Sequence, residues 1–517
     1  MVTTPGKHSN GGRFLGVLTK HAMATDDFFR ARLDQMIDLR HPLAVLSTRM
    51  PWAEIEMALA PALAHRDRKG RLVEGADLFG TTAQLAGAGV SNAGRPRLPV
   101  RLMVALLYLK HAYNESDESL VERWAQDVYF QFFSGQVYFE PRPPCDPTQI
   151  GRFRRVLGEA GVEQLLKTTI EAAVSMGAVK KAEFERVIVD STVQEKAIAH
   201  PTDSRLLEVA REKIARLAKR AGIKLKLTHE REGRTLRRKA AGYAHAKQFK
   251  RLRRTLKRQR TILGSLLREV RRKMVALAED AQRGLEIWVT RAERLQRQRP
   301  KDKNKLYALH APEAECISKG KARNPYEFGV KVSLAVTHKQ GLMVGARSFP
   351  GNPYDGHTLA AQLEQTAALL QDIGVMPTTA VVDLGYRGVD ASVPPVQVIH
   401  RGKSKTLTAQ QRTWLKRRQA IEPLIGHAKA DHGLGRCWLK GSDGDALHAV
   451  LCAAGFNIRW LLRAVARLGL GARFLAWITG VIRRLAAPQA VAQRLQSIMT
   501  PKPRWWPAWA LTAISQV

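Results

Sequence analysis

Cysteine is scarce in this chain. Four in 517 residues, Cys145, Cys316, Cys437 and Cys452, with no two at Cys-x-x-Cys spacing, argue against a zinc site or a disulfide framework and for reduced thiols in a cytoplasmic protein. Cys452, in an apolar stretch, reads as core. No uninterrupted apolar run approaches the roughly 18 residues that cross a bilayer, and the polar N-terminus has no signal-peptide core, so no membrane partner is expected. Acids are short as well: 46 Asp+Glu stand against 84 Lys+Arg, a formal net charge of +38 and a pI near 10.6. A chain so unbalanced repels itself unless a polyanion compensates, which points to nucleic acid. Disorder is excluded by a hydrophobic content of 45%, and the length allows about two to four domains.

The few acids include three in distinctive settings. Asp190 follows Val187-Ile188-Val189 and Asp383 follows Val381-Val382, each ending a β-branched run as a buried strand would deliver a side chain to a sheet end. Glu422 lies in a basic segment with Arg418 four residues before it and Lys429 seven after, which on a helix puts all three near one face. Pro423 disfavours helix at Glu422 and removes an amide, so the helix is expected to kink or restart there. Carboxylates gathered by a sheet and a helix suit paired Mg²⁺ ions (Mn²⁺ is the alternative), which take oxygen ligands and substrate phosphates. Asp190 is the candidate to bridge two ions, with Asp383 and Glu422 completing one each.

The remaining pattern divides the chain. Residues 1–45 read as a loose N-terminus. Residues 46–180 read as helical: Leu102–Tyr113, a capped turn at Asn114–Asp117, a helix to about Phe132, and a helix opened by Asp146-Pro147. These short helices are either a helix-turn-helix reader of DNA or a bundle packed on the catalytic domain. Residues 181–200 and 320–435 carry the strands: one into Asp190, a hairpin from Phe328–Val336 to Leu342–Arg347 about a turn at Lys339–Gly341, a helix over 358–373, and strands at 379–383 and 396–399. Between them, 201–319 is a basic helical insertion with 30 Lys+Arg against 10 Asp+Glu over residues 201–300. Its seam is Leu207, Ile214, Leu217, Phe249, Leu252, Leu256, Leu266 and Val270. Its outer face, with Arg253 and Arg254 in one basic run and Arg271–Lys273 in another, suits phosphates. Residues 436–517 read as C-terminal helices, one over 446–466, and a tail with Trp505, Trp506 and Trp509 that could stack on bases, on a partner chain or on the protein itself.

Taken in order, Asn324–Gly329, Pro350–Thr358, Asp383–Gly388 and Ile421-Glu422-Pro423 resemble the bacterial insertion-sequence transposases of the DDE class, specifically the insertion-sequence-five family, from about Arg101 to about Leu462. The family's helix signature, Tyr-x2-Arg-x3-Glu-x6-Lys, is matched by Arg418, Glu422 and Lys429, while the tyrosine position holds Leu415 with Trp414 beside it.

The resemblance implies an α/β fold with an RNase H-like mixed sheet, in which Asp190, Asp383 and Glu422 form the catalytic and metal-binding centre. It implies a bacterial, nucleoid-associated enzyme that binds the terminal repeats of a mobile element, cleaves DNA and transfers the 3′-hydroxyl ends to target DNA, working as a homodimer on DNA. Tyr386, Arg387, Arg418 and Lys429 would contact the backbone. His357 reads either as a group on the scissile phosphate or as a loop histidine, and Asp431 and Glu327 stand as substitutes for Glu422. The rival readings are a DNA-binding protein derived from a transposase without catalysis, and a nuclease that cuts without joining.

Overall fold

A computed structural model of the protein describes residues 31–63, 98–318, 325–388, 395–403 and 405–470. The tryptophan cluster at 505–509 and Asn324 lie outside them.

Among the described residues six helices come first: α1 (Leu33–Met36), α2 (Pro42–Arg49), α3 (Trp52–Leu63), α4 (Val100–Tyr113), α5 (Asp117–Gln126) and α6 (Val128–Phe133). The single helix expected to run to Phe132 is broken at Asp127, whose carboxylate accepts from the amides of Tyr129 and Phe130 and so starts α6 as an N-cap. Ser116 caps α5 in a reciprocal pairing with Ser119. α7 (Pro147–Ser175) opens as its sequence predicts, with Asp146 capping and Pro147 at the first position, and bends at Gly158, whose φ of 62° lies in the left-handed region.

β1 (Arg186–Glu195) follows, then the insertion: α8 (Asp203–Arg220), α9 (Glu230–His245), α10 (Phe249–Met274) and α11 (Glu279–Arg297). β2 (Glu315–Ser318), β3 (Tyr326–Thr337) and β4 (Met343–Phe349) precede α12 (Leu359–Leu370); β5 (Thr379–Val381), β6 (Gln397–Ile399), α13 (Ala409–Arg417), α14 (Ile421–Asp431) and α15 (Gly441–Arg467) complete the order.

The sheet is mixed. β3 lies antiparallel to β1 from Val187↔Thr337 to Glu195↔Gly329, and its other edge takes β4 and, beyond it, β2, both antiparallel. On the far side of β1 the strands turn parallel: β1 pairs β5 at Arg186–Ile188, and β5 pairs β6. The order is therefore β4-β3-β1-β5-β6, with β1 the boundary between the two halves. Asp190 is not at the end of β1, as its sequence setting suggested; it sits mid-strand, because β1 continues five residues further as the partner of β3. What ends near Asp190 is the parallel ladder with β5.

One hydrophobic cluster runs through the N-terminal helices, the sheet, α12 and α15, and a second, separate cluster lies inside the insertion. α15 is long and apolar enough to cross a membrane, but 83% of that stretch is buried within the protein. It forms the central strut, packed on α4, α7 and β4. The insertion's predicted seam is buried at Leu207, Ile214, Leu266 and Val270. Phe249, however, is 58% exposed, since the first turns of α10 extend beyond the neighbours that cover the rest.

A candidate active site at the edge of the parallel ladder

The parallel ladder ends at Ile188 paired with Val381, and Asp190 and Asp383 each follow two residues later, so the two acids leave the same end of the ladder, near enough for the charge of Asp383 to act on Asp190. At Asp383 the chain leaves the strand: the carboxylate accepts from the amide of Gly385 at 2.8 Å and caps a single turn of 3₁₀ helix over Leu384–Tyr386. A Cβ at Gly385 would lie 3.0 Å from Asp383 Oδ1 and 3.1 Å from Asp355 Oδ2, so this residue has to be small for the two acids to meet.

The third predicted acid arrives from α14. Between α13 and α14 the chain makes a 3₁₀ turn at Arg418–Ala420 and restarts at Ile421, which places Pro423 in the first turn of the new helix, where its missing amide costs least. Despite this restart Arg418 still reaches Glu422, at 3.3 Å from Oε1, while its other amino group lies 3.0 Å from Asp190 Oδ2. One guanidinium thus joins two of the three predicted acids. Arg418 and Asp190 are mostly buried, whereas Glu422 is 63% exposed.

A fourth carboxylate went unread in the sequence. Asp355, in the loop between β4 and α12, accepts from Ser191 Oγ at 2.7 Å and from Lys331 Nζ at 2.9 Å. The segment Tyr354–Thr358 drew notice for His357, but the histidine is exposed, edge-on to Tyr354, and the aspartate two residues earlier turns to the strands. Only the strand pairing brings Ser191, Lys331 and Asp355 together.

Burial pushes the Asp190 carboxyl up to about 6; Arg418 opposes this and the charge of Asp383 adds to it. The Tyr386 hydroxyl is held well above its ordinary value, first by burial and then by Asp355, Asp190 and Asp383. Tyr386 is fully buried, so its ring is not available to a DNA backbone as its sequence position suggested. It is a neutral wall of the acidic cluster.

The other predicted contacts divide. Arg387 is exposed beside the site, and Arg253 and Arg254 are exposed on α10. Lys429 is half-buried and bound to Glu327 at 3.3 Å, an ion pair at the opposite end of β3 from the site. Glu327 is thereby placed far from Asp190 along the strand, and Asp431 is bound to His427 on the outside of α14, so neither substitutes for Glu422. In the run Arg271–Lys273, Arg271 is held by Glu286 and Glu293 and Lys273 by Glu269. Those cations are spent inside the insertion rather than offered to phosphate.

Elsewhere, His111, His448 and Cys452 bring three possible ligand atoms within 4.8 Å in the buried interior. Burial and the nearby cations Lys110 and Arg154 keep the His111 and His448 rings neutral, and the same cations oppose a dication there. The cluster acts as a polar pin, with Cys452 Sγ 3.6 Å from each histidine and His448 Nε2 2.9 Å from the carbonyl of Gly433.

Comparison with known proteins meets this geometry on both sides. A family model described as Transposase domain (DUF772) matches residues 71–156, and one described as Transposase DDE domain matches residues 395–462, which contain β6, α13, α14 with Glu422, and most of α15. The uncharacterized protein ORF8 in the nfe locus of Rhizobium meliloti is 39% identical over 224 residues, 43% of this chain and 95% of that protein. No solved structure matches. With one transposase domain model ahead of Asp190 and Asp383 and a second that contains Glu422, the chain belongs to the insertion-sequence transposases of the DDE class.

Proposed function

We propose that this transposase cuts DNA at the ends of its mobile element and joins each freed 3′-hydroxyl to target DNA, by in-line phosphoryl transfer at Asp190, Asp383 and Glu422. The observation that carries the reading is the convergence of Asp190 and Asp383 at the edge of the parallel ladder, with Glu422 tied to the same point through Arg418. Such a donor set, oxygen-only and strongly anionic, fits Mg²⁺ or Mn²⁺. The guanidinium lying between Asp190 and Glu422 marks where positive charge is stabilised.

Asp190, Asp383 and Glu422 are the residues that would hold two divalent cations. When bound there, such cations activate the attacking oxygen and stabilise the leaving one. The protein's own part is orientation and charge. β1 and β5 fix two carboxylates on a rigid sheet, and Ser191 and Lys331 hold Asp355 behind them. Arg387, exposed beside the site, would take a phosphate next to the scissile one, and Arg418 would do so once released from Asp190. Water and a 3′-hydroxyl are alternative nucleophiles, so one site serves both cutting and joining. Two ends require two sites, which is why the active form is a homodimer on DNA.

The sheet order β4-β3-β1-β5-β6, antiparallel on one side of β1 and parallel on the other, supports an RNase H-like core. The motifs from Pro350 to Glu422 support the insertion-sequence-five assignment.

The test is cleavage and strand transfer on a labelled element end with Mg²⁺, comparing wild type with Asp190→Ala, Asp383→Ala and Glu422→Ala. Loss of both products in each variant with DNA binding retained is the expected result. Full activity in any variant removes that residue, and a wild type that binds the ends without cutting them favours a non-catalytic DNA-binding protein.

A further inference from the structure

Residues 233–268 contain 13 Lys or Arg and not one Asp or Glu. They cover most of α9 and three quarters of α10, the two helices joined by a tight turn at Ala246–Gln248 where Lys247 adopts a left-handed φ of 55°. The insertion has its own hydrophobic core, and that core grips α10 from about Thr255 onward: Ile262, Leu263, Leu266, Leu267, Val270 and Met274 are buried, whereas nearly every residue from Ala241 to Arg254 is exposed. The turn and the helix ends around it therefore form a projecting tip.

The cations on this tip are arranged. Lys250, Arg253, Arg254 and Lys257 fall at i, i+3, i+4 and i+7, a single face of α10 spanning about 10 Å, and all four are exposed. Among the described residues no carboxylate pairs with any of them. The contrast with the rest of the insertion is the deciding point. Arg211, Arg234, Arg258, Arg260, Arg271 and Arg283 each hold an acid, whereas the four cations of this stripe, aligned on one face at the projecting tip, hold none among the described residues. Four unpaired cations on one face repel one another by an amount like that of unfavourable helix pairs. Such an arrangement is kept where a polyanion relieves it.

We propose that the α9–α10 hairpin is a second DNA-binding surface, separate from the carboxylate site, that holds the backbone of a duplex without regard to sequence. The stripe presents donors only, in a row suited to successive phosphates. It carries none of the side-chain amides or carboxylates that would read adenine or cytosine edges. Phe249, exposed at the start of α10, and Tyr243, with Arg251 6.0 Å from its ring, add apolar surface at the tip against sugars. A membrane surface fits less well, since the exposed face has a single large apolar side chain to insert. The inference rests on the transposase reading for its biological setting but is tested apart from it.

The experiment uses full-length protein and a labelled 30-base-pair duplex of scrambled sequence, in EDTA so that no cutting occurs. Affinity is measured from 50 to 300 mM salt for wild type, for the quadruple variant Lys250→Ala, Arg253→Ala, Arg254→Ala, Lys257→Ala, and for Asp190→Ala with Glu422→Ala. The quadruple variant should melt with wild type, because all four side chains are exposed. The slope of log K against log salt should fall in magnitude by about 3 to 4, at roughly 0.9 for each lost phosphate contact, with at least a tenfold loss of affinity at the lowest salt. The carboxylate variant should keep the wild-type slope. An unchanged slope in the quadruple variant overturns the proposal, as does tighter binding of a duplex RNA of the same length that depends on the same four residues. Failure of the transposase reading would show instead as a carboxylate variant that still cuts element ends, a result the salt slope does not touch.

Discussion

Replacing Asp190 by asparagine should make the metal-free protein more stable while abolishing DNA cleavage. Burial, with the charge of Asp383 adding to it, raises the carboxyl from an ordinary 3.8 to about 6. That difference is a cost of about 3 kcal/mol at neutral pH, already net of the help from Arg418. Because the folded value lies above the unfolded one, the folded state binds the proton more tightly. The penalty is absent below about pH 4, grows as pH rises through 6, and is complete by about pH 8. Asparagine keeps the shape and carries no charge. Urea denaturation in EDTA should therefore show Asp190→Asn more stable than wild type by about 3 kcal/mol at pH 8 and by roughly half that at pH 5.

Divalent metal should all but close this gap. With Mg²⁺ at a hundred times its dissociation constant, wild type gains about 2.7 kcal/mol through binding to the folded state alone, and Asp190→Asn gains little. No stabilisation at pH 8, or an equal gain at pH 8 and pH 5, would refute the claim that a buried, crowded carboxylate sits at position 190. A gain in Asp190→Asn on adding Mg²⁺ equal to that of wild type would remove Asp190 from the metal site.

Arg418→Gln removes the cation that holds Asp190 down, so in EDTA the pH range over which stability falls should move upward, read by urea denaturation across pH; an unmoved range means that another group titrates. Lys196, buried between Glu313 at 2.8 Å and Asp445 at 2.7 Å, joins the end of β1 to α15, and Lys196→Met should cost roughly 3–5 kcal/mol in urea denaturation because it strands two buried carboxylates. Adding Asp445→Asn should return part of that loss. Gly455→Ala would drive a Cβ into the backbone of His111, whereas a Cβ at Gly426 in α14 meets nothing within 4 Å. Thermal melting should show the first destabilised by roughly 1–3 kcal/mol and the second unchanged or stabilised by up to about 1 kcal/mol.

The parts legible in the sequence are those set by nearest neighbours along the chain. Alternating and β-branched runs located β1, β3, β4, β5 and β6 to within a few residues, and Asp146-Pro147 marked the start of α7 because a cap and a fixed φ act locally. The spacing of Arg418 and Glu422 gave a true contact even though the helix restarts between them. What failed was what depends on pairing across long separations. Asp355 meets Ser191 only because β3 carries Lys331 past both, and no spacing in Tyr354–Thr358 encodes that. Tyr386 looked exposed because glycine precedes it, yet the turn that glycine allows rotates the ring inward. Arg271 looked free because its partners, Glu286 and Glu293, lie on the next helix.

These long-range placements also explain why a chain so rich in cations gathers acids at one point. Carboxylates on adjacent strands repel, and each is desolvated by its neighbours, so the cluster works against folding unless positive charge is supplied. Without a divalent ion the nearest supply is Arg418, which spans Asp190 and Glu422, and Lys331, which holds Asp355. Tyr386 contributes by staying neutral: burial and the surrounding charges raise its hydroxyl, so the wall adds no further anion. Divalent cations held by Asp190, Asp383 and Glu422 would meet the same demand more strongly than one guanidinium. Under the proposed function Arg418 would then be free to pair with a phosphate, so one side chain would serve the acids of the metal-free site and the DNA of the loaded one.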